Sequence, residues 1–254
     1  MNAEAPLVRP QTAVVIGASR GIGLAITRAL LDKHGLKRIY ASYRQASGAG
    51  DLLSIEDSRL QACQLDVTEQ DDIQSLAELI RRDGKQPDFV IHCAGMLHGP
   101  GVQPEKALGQ CDKNALSRVF EVNSIAPLMV AKAIIPLMPR RRHAHFTALS
   151  AMVGSISDNR LGGWYAYRAS KAALNQFMRT LSIECQRSHP GLCVTAIHPG
   201  TTDTALSRPF QANVKAGKLY TPEQTAARIL DVVCASAPGQ SGQFVNWDGR
   251  PIEP

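Results

Sequence analysis

TAVVIGASRGIGLAITRALL runs from Thr12 to Leu31. Its first part, Thr12 to Ala18, is a continuous apolar run reaching a glycine, as a strand buried on both faces of a parallel sheet requires. The second part changes period. Ile26, Leu30 and Leu31 recur at helical spacing, with Arg28 and Asp32 off that face, through to His34. Between strand and helix lie Gly17, Gly21 and Gly23, spaced Gly-x-x-x-Gly-x-Gly. Glycines there let the backbone turn sharply and approach a pyrophosphate, and the helix N-terminus offers free N–H donors. The stretch therefore reads as a dinucleotide-binding turn. No Gly-Lys-Ser/Thr ends it, which excludes a nucleoside triphosphate loop.

Outward from this unit the same alternation continues. RIYASY, LQACQLDV, DFVIHCAG, HAHFTALSA, LCVTAIHPG and GQFVNWDG read as strands. DDIQSLAELIRRDG and the stretch after Tyr167 read as helices. Strand alternating with helix predicts one single-domain, doubly wound Rossmann-type α/β fold over residues 1–254, its parallel sheet flanked by helices on both faces.

Composition narrows the class. The chain has 254 residues, 44% hydrophobic and 20% charged, which is an ordinary globular balance. A net charge of +6 suits anionic cofactors without by itself implying nucleic acid. The first eleven residues show no apolar signal segment, and the apolar stretch Ala126 to Met138 reads as a buried helix too short to span a bilayer. The six cysteines are scattered without metal-type spacing. A reduced, cytoplasmic protein without a metal site or membrane partner is the expectation.

The second strand bears on the choice of dinucleotide. NAD-binding folds of this type carry an acidic residue near its end for the ribose hydroxyls. Here Ser42 stands about there, followed by Tyr43 and Arg44, while Arg20 lies in the glycine turn. Guanidiniums pair bidentately with phosphate, so NADP (NADPH) is expected over NAD.

The sharpest local signal is Tyr167-Arg-Ala-Ser-Lys171. Positions i and i+4 share a helix face. An ammonium beside a phenol favours the phenolate, lowers its pKa and fits it for proton exchange with a carbonyl oxygen. Tyr165 lies on a different face and, with Trp164, reads as a loop wall.

These motifs together resemble the short-chain dehydrogenase/reductase family over nearly the whole chain. The resemblance implies that Gly17, Ser19, Arg20, Gly21, Ile22 and Gly23 form the cofactor loop. It places Asp66 and Val67 at adenine, and Tyr167 and Lys171 at both catalysis and the nicotinamide ribose. HCAG stands where the family has Asn-Asn-Ala-Gly, keeping Ala94 and Gly95. Asn123 matches the helix asparagine that orders a water beside the lysine. Pro199, Gly200 and Thr204 match the nicotinamide-side turn. The family's Ser-Ser-x-x-Gly is here LSAMVG: three residues before Gly154 is Ala151, and Ser150 lies one place earlier. One step along a strand reverses the side chain, so Ser150 can steady a carbonyl only if the backbone bends or bulges. Otherwise Tyr167 acts without a serine partner.

The long stretch before GGWYAYRASKAALN is similar to sniffer-type carbonyl reductases and bacterial C-factor-like proteins. That implies an NADP-dependent carbonyl reductase acting on a small carbonyl or alcohol, pairing as a homodimer or homotetramer. A weakly catalytic or non-catalytic nucleotide-binding sensor on the same fold is the alternative. The segment Ala205 to Tyr220 reads as a cover over the substrate, with Leu206 and Phe210 as candidate lining. Arg140, Arg141 and Arg142 read as a solvated edge rather than a nucleic-acid site.

Overall fold

The computed structural model describes residues 10–33 and 35–254, without the side chain of Asn213. The signal-segment reading of residues 1–9 and the His34 end of the first helix lie outside them. The chain runs β1 (Thr12–Ile16), α1 (Gly21–Leu31), β2 (Arg38–Tyr43), α2 (Gly50–Leu53), β3 (Leu60–Gln64), α3 (Gln70–Arg82) and β4 (Phe89–His92). It continues through α4 (Lys113–Phe120), a π-helical turn (Glu121–Ile125), α5 (Ala126–Ile134), β5 (Ala144–Leu149), α6 (Tyr165–Ser188) and β6 (Leu192–His198). It ends with β7 (Thr201–Thr202), β8 (Leu219–Tyr220), α7 (Pro222–Ala235) and β9 (Gln243–Asn246). Seven strands form one parallel sheet in the order β3-β2-β1-β4-β5-β6-β9, and β7 and β8 pair separately.

Each face of the sheet has its own core. In β1, Val14 and Ile16 join the cluster of α3, α5 and α6 that includes Ile73, Val130 and Leu174. Ala13 and Val15 join the opposite cluster of α1 and α7 with Ile26, Leu30 and Ile229. Period-two side chains in a strand without a polar face force this double covering. The strand order runs outward from β1 to β3 and resumes at β4 on the other side of β1, so the β1 and β4 turns open a crevice at the carboxyl ends of the strands, the switch point where ligands bind in such sheets.

The helical run that takes up the apolar stretch Ala126 to Met138 as far as Leu137 is longer than its sequence suggests. It is continuous from Lys113 to Leu137, 25 residues with a mean hydropathy of 1.4 in its most apolar part. Length and composition would allow it to cross a membrane, so the expectation of a stretch too short to span one is corrected. Half of that part is buried inside the protein, the pattern of a core helix packed on α3 and α6.

Candidate active site

The glycine turn is built by close approach. Gly17 has φ +80°, and a Cβ there would sit 2.8 Å from the Ala94 nitrogen; a Cβ on Gly23 would run into the Gly17 carbonyl. Only glycine permits that nesting, which brings Ala94 and Gly95 against the turn. The Gly17 N–H donates to Ser42 Oγ at 2.9 Å and the Ala18 N–H to the Ser42 carbonyl at 2.7 Å. Ser42 is thus a buried brace for the turn. The exposed cation at the end of β2 is Arg44, and Arg20 is exposed at the mouth of α1. Helix α1 has no side-chain cap and no acid in its first turn, leaving its first N–H groups free for an anion. The opposite wall is close: a Cβ on Gly21 would lie 3.1 Å from Thr204 Cγ2. Gly200, at φ +79°, packs on Tyr220 and Trp247, which sandwich Arg228 at 4.0 and 4.4 Å. Asp66 Oδ1 accepts from the Thr68 N–H and hydroxyl, fixing the turn after β3.

Tyr167 and Lys171 lie on one buried face of α6, with Lys171 Nζ 5.7 Å from the phenol ring centroid. Nζ donates to the Leu149 carbonyl at 2.8 Å, tying the helix to the end of β5. Burial sets both protonation states. It pushes the Tyr167 phenol above its ordinary value and lowers Lys171 to about 8. The expectation that Lys171 depresses the tyrosine is therefore corrected: loss of water around the phenol outweighs the ammonium, and each group leans to its neutral form.

Asn123, fully buried in the π-turn, accepts from the Met96 N–H at 2.7 Å and donates to the Met96 carbonyl at 2.8 Å and to Ser170 Oγ at 3.0 Å. π-Turns inside helices recur at functional sites. Here the turn clamps the strand-end loop after Gly95 to α6. A Cβ added to Gly95 would meet Asn123 Oδ1 at 3.5 Å and Lys171 Nζ at 3.8 Å, so the three adjoin.

Ser150 is placed differently from what a carbonyl partner needs. Its buried hydroxyl donates to Asn175 Oδ1 at 2.7 Å. Asn175 lies two turns, about 12 Å, along α6 from Tyr167. The backbone continues extended through Ala151 (φ −150°, ψ 148°) before the short helical turn Met152–Gly154. Strand alternation therefore keeps Ser150 on the α6 face with Phe146 and Ala148. The bend or bulge the sequence reading required is not seen at Ala151.

An aromatic wall stands beside Tyr167. The Trp164 ring lies 6.1 Å from Tyr167 and 5.0 Å from Phe210, and His98 lies 5.8 Å from Phe210. His98 Nε2 is 3.2 Å from the Ala205 and Leu206 carbonyls, which fastens the segment carrying Phe210 over the strand ends. Tyr165 is not in this wall: it is 42% exposed and lines a 580 Å³ cavity on the outer flank of α6 with Ile156 and Arg168. Trp164 has φ +54°, the left-handed region that costs a non-glycine residue about 1–2 kcal/mol. Sequence reasoning missed the residue that fastens it, Glu105. An isolated loop glutamate carries no pattern, and its partners are 59 and 61 positions away: the Trp164 N–H, bonded to its carbonyl, and the Ala166 N–H, bonded to its carboxylate.

Among the described residues no cluster of His, Cys, Asp and Glu could hold a metal ion. Comparison with known proteins agrees with the crevice and its motifs. Residues 11–215 match the short chain dehydrogenase family model. The chain is 32% identical, over 94% of its length and 97% of the relative's, to 1-hydroxy-2-glutathionyl-2-methyl-3-butene dehydrogenase of Rhodococcus sp. (strain AD45). It is 33% identical to the C-signal of Myxococcus xanthus over 58% of this chain and 82% of that one. The NADPH-bound carbonyl reductase from chicken fatty liver superposes with a TM-score of 0.85 at 26% identity, covering 97% of this chain and 95% of that one. The nested glycine turn, the parallel sheet order and the Tyr167–Lys171 face thus have their counterpart in sequence, and the chain belongs to the short-chain dehydrogenase family.

Proposed function

We propose that the protein is an NADP-dependent carbonyl reductase, with Tyr167 as general acid in reduction and base in reverse. The observation that carries this reading is the burial of Tyr167 and Lys171 on one face of α6, beside a crevice built to accept a dinucleotide. NADPH, when bound, supplies the hydride. The chain does the rest. Gly17, Ser19, Gly21, Ile22 and Gly23 hold the pyrophosphate, and Arg20 and Arg44 take the 2′-phosphate. Asp66 and Val67 face adenine, Ala94 and Gly95 form the floor, and Pro199, Gly200 and Thr204 hold the nicotinamide side. Tyr167 gives its phenolic proton to the carbonyl oxygen. Lys171 binds the ribose and offsets charge on the phenolate, and Asn123 supports the path by which the proton is replaced.

The test is oxidation of NADPH by the purified protein with a panel of aldehydes, ketones and quinones. Consumption with at least one carbonyl is expected. Arg44→Ala is expected to weaken NADPH binding about 10- to 100-fold, the worth of one charge-assisted contact, with NADH binding unchanged. Equal loss for both nucleotides would remove the 2′-phosphate assignment.

Ala151 at the family's serine position, and likeness to the C-signal, favour a second reading as a weakly catalytic nucleotide-binding signalling protein. NADPH binding without turnover of any carbonyl would select it. The two readings meet at one substitution. Ala151→Ser supplies a hydroxyl on the strand face opposite Ser150 and is expected to raise kcat about 10- to 100-fold, below the full worth of one preorganised oxyanion donor. Ser150→Ala should leave kcat within about threefold and reduce stability by about 1 kcal/mol, the value of one buried hydrogen bond. A collapse of kcat in Ser150→Ala at unchanged Tm would instead return the catalytic role to Ser150.

A further inference from the structure

Gly162, Gly163 and Trp164 are three successive residues in the left-handed region, at φ +65°, +65° and +54°. Trp164 is the one non-glycine residue with positive φ among those described. A glycine would satisfy that backbone, yet the position carries the largest side chain. It stands immediately before α6, where it makes no side-chain cap. The capping is done from elsewhere. Glu105, 3% exposed and in no ion pair among the described residues, accepts the Trp164 N–H at 2.5 Å through its carbonyl and the Ala166 N–H at 3.2 Å through Oε2. Arg168 Nε donates back to the Gly163 carbonyl at 3.0 Å. Held this way, the indole meets Tyr167 and Phe210 edge to face. Backbone strain that surrounding contacts over-determine, next to reacting groups, is a mark of function.

We propose that Trp164 is a specificity-determining residue, selecting carbonyl substrates that carry a flat apolar group, and that Glu105 is the positioning residue that keeps the indole in the site. This deepens the reductase reading and rests on it. The indole and the Phe210 ring offer edges and faces to an apolar group while Tyr167 reaches the carbonyl oxygen. A small carbonyl without that group makes no contact with the wall.

The experiment compares 1,4-naphthoquinone with acetaldehyde as probes in wild type, Trp164→Gly, Glu105→Ala and Glu105→Gln. Trp164→Gly relieves the left-handed residue but gives up the ring contacts to Tyr167 and Phe210, so Tm should change little, while KM for the quinone rises about tenfold or more and KM for acetaldehyde changes less than about twofold. Glu105→Ala keeps the carbonyl that accepts from the Trp164 N–H and removes the Oε2 cap on the Ala166 N–H, so it should give a selective rise in the same direction, smaller than that of Trp164→Gly, with Trp164 still present. Glu105→Gln, whose amide oxygen still accepts from the Ala166 N–H, should restore wild-type discrimination. Equal KM changes for both probes, or none, in Trp164→Gly would overturn the specificity role. A lower Tm in Glu105→Ala with the KM ratio unmoved would overturn the positioning role.

Fluorescence separates failure of this proposal from failure of the reductase reading. The chain has two tryptophans, so Trp247→Phe leaves Trp164 as the only indole. Saturable quenching by the quinone, weakened in Glu105→Ala, supports the wall even if no carbonyl is turned over. Absence of saturable quenching overturns it even if turnover is seen.

Discussion

Tyr167→Phe is expected to lower kcat for carbonyl reduction by about 10²- to 10⁴-fold, the range for loss of a positioned general acid, while NADPH binding stays within about threefold. The phenol shares its buried face with Lys171, and phenylalanine keeps the ring that packs against Trp164. A fall in kcat with unchanged cofactor affinity is the signature of a group acting in the transition state. Burial gives this a pH dependence with a definite sign. The phenol is held neutral, the form needed to donate, and Lys171 loses its proton near pH 8. Below that value the ammonium is present to offset the phenolate; above it the offset is lost. Reduction by the wild type should therefore decline as pH rises through about 8. Oxidation should be slow at neutral pH, because the base is then mostly protonated. Activity of Tyr167→Phe within tenfold of wild type would remove the tyrosine from the chemistry.

The fold and the first half of the site are legible because they rest on local patterns. Thr12 to Leu31 switches period at a glycine turn, and β1 and α1 follow. Tyr167 and Lys171 need only helical spacing. Helix α7 carries a local signal too: Thr221-Pro-Glu-Gln224 forms a capping box with proline in its first turn. What was not legible depends on contacts through space. Glu105 acts on α6 from a distant loop. The two-residue strands β7 and β8 pair across 16 intervening residues. The left-handed Trp164 follows two glycines, and no local pattern marks its backbone. Ser150 stands between these cases: strand alternation posed the question, and the Asn175 hydrogen bond answered it. The phenol's pKa is illegible for a related reason: i and i+4 spacing shows a neighbouring cation and not how little water the pair retains.

Acidification is expected to unfold the protein well before its carboxylates titrate. His92, His145 and His198 are held neutral by burial, with pKa values lowered to about 3, about 3 and about 4. His92 also meets the charge of Lys171, and His145 stacks on His143 at 4.6 Å. Neither ring nitrogen of His145, nor Nε2 of His92, has a hydrogen-bond partner among the described residues. In the unfolded chain each imidazole takes a proton near pH 6.5. Above that pH both states are neutral and stability is unaffected. Below it the unfolded state binds more protons, so stability falls until the folded values are reached, near pH 3 to 4. Each histidine contributes about 1.4 kcal/mol per pH unit, and three together about 4 kcal/mol per unit. At pH 5 the loss is about 6 kcal/mol, comparable with the whole stability of many domains. Urea midpoints measured from pH 7.5 to 5 should fall steeply below pH 6.5. His145→Phe, which keeps an aromatic ring beside Phe89 and removes two unpartnered nitrogens, should raise stability at pH 7.5 by about 1 kcal/mol and reduce the acid slope by about a third. A flat stability profile down to pH 5, or an unchanged slope in His145→Phe, would show that these imidazoles take up protons in the folded protein as readily as in the unfolded chain.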